Sequence, residues 1–513
     1  MTKLPRGQMS EVIKELASLS PEKRKLIELM LQEEGLDISQ LMILPRAKGS
    51  NSLPLSFGQQ QLWLVDQLEP GSVVYNIPAA IRMQGPLNLA ALKQSLDEIV
   101  RRHEILRTTF VAGDGQPVQV ISAGSSARLV ESDLCGLAHS GATPLSSQLA
   151  AQEAHRPFDL ARGPLIRSTL LRLDEQDHIL LLTLHHIVFD AWCMGILIRE
   201  MVTFYKAFSD GEPSPLAELK VQYADFALWQ RQWLQGEVLE RELSYWRKQL
   251  EGMPAVLELP TDRPRRSATS NRGAIHTLEL SRELSDSLEA LSRAEAVTSS
   301  MLLLAAFQTL LYRYSGKDDI VVGTPIANRN RAETEALIGF FVNMLVMRVD
   351  LSGNPSFREL LKQVREVTLE AYAHQDLPFE KLVVELRPER ELNRKPLFQV
   401  VFAFQNTPMP ALQSTRLTVA PVRVQNTTSV FDLVLYMITQ DRKLIGSFEY
   451  NTDLFNPERI AHLARNFERL LRQVAEDPDL PLLDIRLFAD GQEEYAKPVA
   501  DVRQSFQDDQ FSF

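Results

Sequence analysis

The chain has 513 residues, 44% hydrophobic and 24% charged, with a formal net charge of −11. So much apolar material excludes wholesale disorder, and at roughly 100–200 residues per domain the length calls for at least two folding units. The acidic balance argues against nucleic-acid or anionic-membrane binding, which need a basic face to displace counterions; there is no run of about 18 uncharged apolar residues and no signal-peptide core, and two cysteines, Cys135 and Cys193, fit a reducing cytoplasm.

In residues 8–35 apolar positions recur at helical spacing, with Ser20-Pro21 as cap and first-turn proline and Gly35 as a stop. A small helical segment with its linker is therefore expected over 1–47, and Gly, Ser and Pro in 44–54 lead into a first lobe over 48–258. Within that lobe, Leu89, Leu92, Leu96, Ile99 and Val100 predict an amphipathic helix over 89–103, followed by a strand over 106–111. The apolar run 179–184 predicts a buried strand. A two-histidine turn follows it, and residues 192–208 are again apolar at helical spacing. Prolines, arginines and small polar residues make 259–273 an interlobe linker. A second lobe is expected over 274–490, with a long helix at 284–314 and a short strand at 320–323, and 491–513 reads as a flexible tail. Helices and strands alternate in both halves, which predicts two α/β lobes, although the halves show no alignable sequence repeat.

The segment HHIVFDAW at 185–192 lies where the predicted strand ends and the next helix begins. Strand neighbours point to opposite faces, so one of His185 and His186 faces a cleft while the other packs. A neutral imidazole with a pKa near ~6.5 can accept or orient a proton while an amine attacks an acyl group. Asp190 can cap the following helix or hold an arginine, a structural role. Other readings compete. A single histidine is more often a satisfied core residue, and His-His-x-x-x-Asp matches neither the His-Glu-x-x-His helix nor a Cys/His metal pattern. Cys193 could pair with His186 as a nucleophile, but helical spacing puts it on an apolar face, which favours packing.

This segment is similar to the HHxxxDG signature of the condensation domains of nonribosomal peptide synthetases. Six further stretches resemble that family's motifs in the family's order: SFGQQQLW at 56–63, RHEILRTTF at 102–110, YADFALW at 223–229, IGFFVN at 338–343, HQDLPFE at 374–380 and RKPL at 394–397. The resemblance runs over residues 53–487. It implies an α/β fold of two chloramphenicol acetyltransferase-like lobes, a V-shaped pseudo-dimer around a central tunnel. Donor and acceptor peptidyl carrier proteins would reach the tunnel from opposite faces with phosphopantetheine arms, and no cofactor would be bound tightly. The implied reaction is acyl transfer from a carrier-protein thioester to an amine or hydroxyl, including a soluble amine or alcohol.

By the same resemblance His186 is the catalytic histidine and His185 its neighbour, and Asp190 should pair with an arginine of the second lobe, Arg329 first and Arg348 in reserve. Asn343, Arg102, Arg107 and Trp229 fall in the motifs as supporting residues. Ala191, Trp192 and Met344 are expected to line the tunnel. Two departures stand out: Ala191 replaces the motif glycine, and Met344 replaces the usual small residue after Asn343. Residues 59–78 look most like domains that take an L-configured donor, with a fatty-acyl starter domain, a free-standing chain-releasing enzyme and a non-catalytic recruitment platform as alternatives.

Overall fold

The computed structural model of the chain describes residues 42–46, 52–113, 115–124, 126–135, 139–265, 271–387, 394–405, 417–422 and 428–488. The helix expected within 8–35 and the tail expected at 491–513 lie outside the described residues. The first half runs β1 (Ser52–Pro54), α1 (Phe57–Leu68), β2 (Asn76–Gln84), α2 (Leu89–Arg102), β3 (Thr108–Ala112), β4 (Pro117–Ile121), β5 (Leu129–Asp133), α3 (His139–Ala154), β6 (Ile166–Asp174), β7 (Asp177–His185), α4 (Ala191–Ser209), α5 (Tyr223–Trp233) and α6 (Gly236–Gln249). The second runs β8 (Gly273–Glu279), α7 (Arg282–Ala294), α8 (Ser299–Ser315), β9 (Asp319–Ile326), β10 (Asn343–Asp350), α9 (Phe357–Ala373), α10 (Phe379–Leu386), β11 (Val400–Gln405), β12 (Thr418–Val422), β13 (Leu433–Gln440), β14 (Lys443–Asn451) and α11 (Pro457–Glu476).

Each half builds its own mixed sheet, ordered β12-β2-β7-β6-β5 and β10-β9-β11-β13-β14-β8. Strand β7 is buried from His178 to His185, as a strand covered on both faces must be, which explains its unbroken apolar run. Its end therefore delivers the two histidines from a rigid, central strand. The halves are not independent. Strand β12 belongs to the second half yet pairs antiparallel with β2, Val419 opposite Met83, and so covers an edge of the first sheet.

Burial interleaves them further. Leu243 and Trp246 of α6 pack in the core of the second half, ahead of the linker expected at 259–273, while Leu337, Ile338 and Phe341 pack in the core of the first. The residues between β9 and β10 thus form an interlobe floor.

The single helix expected over 284–314 is two helices, α7 and α8, bent by 104°. Ala296 breaks it with a φ of 53°, and Thr298 caps the new start by accepting from the Met301 amide at 3.2 Å. Helix-forming residues on both sides hid the break. The strand expected from 106 begins at 108 because residues 104–107 form a 3₁₀ turn. Among the described residues no single helix is long and apolar enough to cross a membrane.

Candidate active site

His185 is the last residue of β7, and His186 opens a 3₁₀ turn over 186–188 that its amide anchors by donating to the Tyr75 carbonyl at 2.8 Å. The alternation of the strand separates the two rings. His185 is 3% exposed, packs beside Tyr75 and edge-on to Phe158, and accepts the Ile187 amide on Nδ1 at 3.1 Å. Burial, with the neighbouring His186, pushes its pKa down from 6.5 to about 3. The proton therefore prefers the unfolded state, so stability attributable to this ring is complete above pH 6.5 and drains away as pH falls toward 3. We expect wild-type stability to drop in this window by up to about 1.4 kcal/mol per pH unit from this one residue. Denaturant titrations at pH 7 and pH 5 should accordingly show the gap between wild type and His185→Ala narrowing at the lower pH.

His186 is only half-buried. Its Nδ1 lies 2.7 Å from the Phe189 carbonyl, which can only accept, so Nδ1 carries the hydrogen and Nε2 keeps its lone pair. Desolvation lowers its pKa, although Asp190 and the Phe189 carbonyl pull the other way, and the ring is neutral at pH 7. The local sequence thus presents an oriented, unprotonated nitrogen.

Asp190 starts α4 as its cap, accepting the Cys193 amide on Oδ1 at 3.1 Å. The same carboxylate takes the Phe341 amide at 3.0 Å and the Arg329 guanidinium at 3.2 and 3.4 Å. Both side chains of this ion pair are 2% exposed. Arg329 in turn donates to the Thr334 and Leu337 carbonyls and lies 4.2 Å over the Phe341 ring. The pair pins the interlobe floor to the start of α4, next to His186.

Three other motif segments close on the same turn. Gln59 of α1 donates to the Ile187 carbonyl at 3.2 Å, and Tyr223 of α5 donates to the Phe340 carbonyl at 2.6 Å while meeting Ser56 Oγ at 2.8 Å. Gly339 lies flat against Tyr223: a Cβ there would stand 2.0 Å from the ring of a residue that is 1% exposed. Gly339→Ala is therefore expected to cost at least about 1–3 kcal/mol by overpacking, read as a lowered denaturation midpoint.

A family model for the condensation domain matches residues 50–495. The chain belongs to the condensation-domain family. It is 49% identical over 468 residues to one polypeptide of the linear gramicidin synthase of Brevibacillus parabrevis, covering 91% of this chain but 6% of that protein. It is 41% identical to phosphinothricin tripeptide synthetase PhsC of Streptomyces viridochromogenes, covering 96% of this chain and 46% of the other. The chain thus spans less than half the length of these synthetases. Among solved structures, the X-domain from teicoplanin biosynthesis matches with a TM-score of 0.77 and 28% identity, covering 86% of this chain and 99% of that one. SgcC5 from Streptomyces globisporus matches at 0.71 and 29%, covering 83% and 100%.

The remaining residues of this condensation domain fall at varying distance from the histidine turn. Arg348 does not approach Asp190: it forks onto Asp319 at 2.8–3.2 Å and reaches the Gln249 and Glu251 carbonyls, toward the far end of β10. Asn343 spends its amide on the turn before α10, donating to the Gln375 and Leu377 carbonyls and accepting from Phe379. Arg102 pairs with Glu200, Arg107 bonds the Ser122 carbonyl, and Trp229 stacks on Trp233 beneath Arg331. Trp192 ties α4 to the floor by donating to the Glu335 carbonyl at 3.2 Å. Met344 is half-buried against the second core.

Ala191 is an exposed first residue of α4 and is not among the positive-φ residues, so its backbone has no need of glycine. Cys193 packs in the first core as its helical spacing predicts, and its fully buried sulfur also meets Arg329 Nη2 at 3.0 Å and the Gly339 carbonyl and amide at 3.2 and 3.3 Å. Burial pushes its thiol pKa up, which disfavours the thiolate. Sequence reasoning passed over His103, whose Nε2 meets Glu200 at 2.8 Å while Nδ1 accepts the Ile338 amide at 3.3 Å. A glutamate inside the apolar helix α4 was the available signal. Among the described residues no three His, Cys, Asp or Glu side chains converge as a metal site.

Proposed function

We propose that this condensation domain transfers an acyl or aminoacyl group from a carrier-protein thioester to an amine or hydroxyl acceptor at His186. The observation that carries this reading is the half-buried, neutral imidazole with Nδ1 committed to the Phe189 carbonyl and Nε2 without a hydrogen-bond partner among the described residues. As the acceptor nitrogen or oxygen bonds to the thioester carbonyl carbon, Nε2 orients it and takes the proton it sheds. The C–S bond then breaks, and the departing thiolate recovers that proton. Holding two tethered reactants side by side supplies a large share of the rate, so the imidazole need not act as a strong base.

Donor and acceptor peptidyl carrier proteins, bearing phosphopantetheine arms, are the partners this chemistry requires, and an L-configured donor is the subtype favoured by residues 59–78. Asp190, Arg329 and His185 act as structural supports of the turn. Ala191, next to it in the chain, and Met344, the second residue of β10, are proposed to tune which substrates pass. The test is an intact-mass assay with both carriers loaded. A mass gain on the acceptor equal to the donor acyl group, dependent on both carriers, is the expected result. The likeness to an X-domain that forms a complex with OxyB favours one other reading, a recruitment platform. That reading predicts carrier binding with no transfer, and such an outcome would replace ours.

A further inference from the structure

Gly58 is the second residue of α1, a helix already secured by a capping box between Ser56 and Gln59. Glycine is a poorer helix former than alanine, and Gly58 has no positive φ to justify it. The reason for it is steric. A Cβ at Gly58 would stand 2.7 Å from Phe340 Cε1 and 3.0 Å from Cδ1, closer than carbon atoms pack. The same Phe340 ring meets the His186 imidazole edge to face, with centroids 5.0 Å apart and planes at 81°.

The backbone under this ring is held on every side. Its own carbonyl takes the Tyr223 hydroxyl, Gly339 before it is wedged against Tyr223, and the Phe341 amide after it is bonded to Asp190. A displaced ring would have to rotate about its side-chain torsions, because the main chain cannot retreat without breaking these contacts. Both rings are half-buried and in direct contact, so a group brought to the imidazole lies beside the Phe340 ring.

We infer that Phe340 is a specificity-determining wall at the reaction centre, its ring held against His186 by the space Gly58 leaves, and that it limits the bulk of the group carried beside the reacting carbonyl or amine. This rests on His186 being the site of acyl transfer. Small substituents on carrier-bound donor or acceptor clear the ring, and branched or aromatic ones meet it.

The experiment measures turnover of carrier-bound donors and acceptors of graded side-chain size by wild type, Phe340→Leu, Phe340→Ala, Gly58→Ala and the double variants, with thermal midpoints for each. Phe340→Ala should raise the ratio of bulky to small substrate turnover about ten-fold or more, the scale of a pocket that gains or loses a few carbons, with Phe340→Leu in between. Gly58→Ala should depress turnover of all substrates; Phe340→Leu should restore it in part, since leucine lacks the Cε1 that the new methyl would strike, and Phe340→Ala, which lacks Cδ1 as well, should restore it further. Strong coupling in this cycle supports the wall.

The inference is overturned if the Phe340 variants change every substrate by the same factor, or if the Gly58 and Phe340 effects simply add. Should Phe340→Ala fail to fold, Phe340→Leu carries the comparison. His186→Ala run on the same substrates separates the two levels. If that variant keeps full turnover, the reading of His186 falls; if it is dead while the Phe340 series leaves the size profile unchanged, only the wall falls.

Discussion

Replacing His186 by alanine is expected to lower product formation by at least about ten-fold, and by about 10²–10⁴-fold if proton transfer contributes its usual share. The fold should tolerate it. The side chain contributes one hydrogen bond, to the Phe189 carbonyl, and one ring contact, to Phe340, and a single such bond is worth about 1 kcal/mol net. Thermal midpoints of variant and wild type should therefore lie close together while rates separate. The pH profile gives an independent reading. Only the neutral ring offers Nε2, and desolvation lowers its pKa, so with a hydroxyl acceptor, which does not itself titrate there, wild-type turnover should hold near neutral pH and fall on the acid side. His186→Ala should lose that acid limb. An active His186→Ala enzyme with an inactive but folded His185→Ala would reverse the roles given to the two rings.

Asp190→Ala is the second large effect, and it should appear in stability as much as in rate. The carboxylate satisfies the Cys193 and Phe341 amides and the Arg329 guanidinium in a site where both charged side chains are 2% exposed. Removing it leaves a buried cation without its counter-charge and the Phe341 amide without its acceptor, while the Cys193 amide keeps only the Asp190 carbonyl, a loss of about 3–5 kcal/mol for breaking a buried pair. Arg329→Ala strands the carboxylate instead and should cost a similar amount. Asp190→Asn, which keeps the acceptor oxygen but not the charge, should fall between wild type and alanine. Denaturant midpoints and slopes of the three variants decide the matter. A soluble Asp190→Ala protein of wild-type stability and activity would remove the structural role assigned to this pair.

Much of the site was legible along the chain because it is local. The apolar run of β7, the change to helical spacing after 191 and the position of Asp190 three residues before Cys193 together specify strand, turn, cap and helix, and strand alternation alone sends the two histidines apart. The motif order then indicated the family. Contacts between distant segments left no periodicity to read. Arg329 was preferred to Arg348 as the partner of Asp190 by resemblance alone, with no pattern in the chain to exclude the reserve, until the fold put one in the floor between β9 and β10 and the other opposite Val321 near the far end of β10. The break at Ala296, the packing of α6 in the second core and the pairing of β12 with β2 were equally hidden, since each is decided by what the segment meets after folding rather than by its own composition. Residue patterning, which follows backbone geometry, thus determined the elements, the histidine turn and its cap. The tertiary structure alone decided which arginine closes that turn, and that Gly58 is small because Phe340 occupies its space.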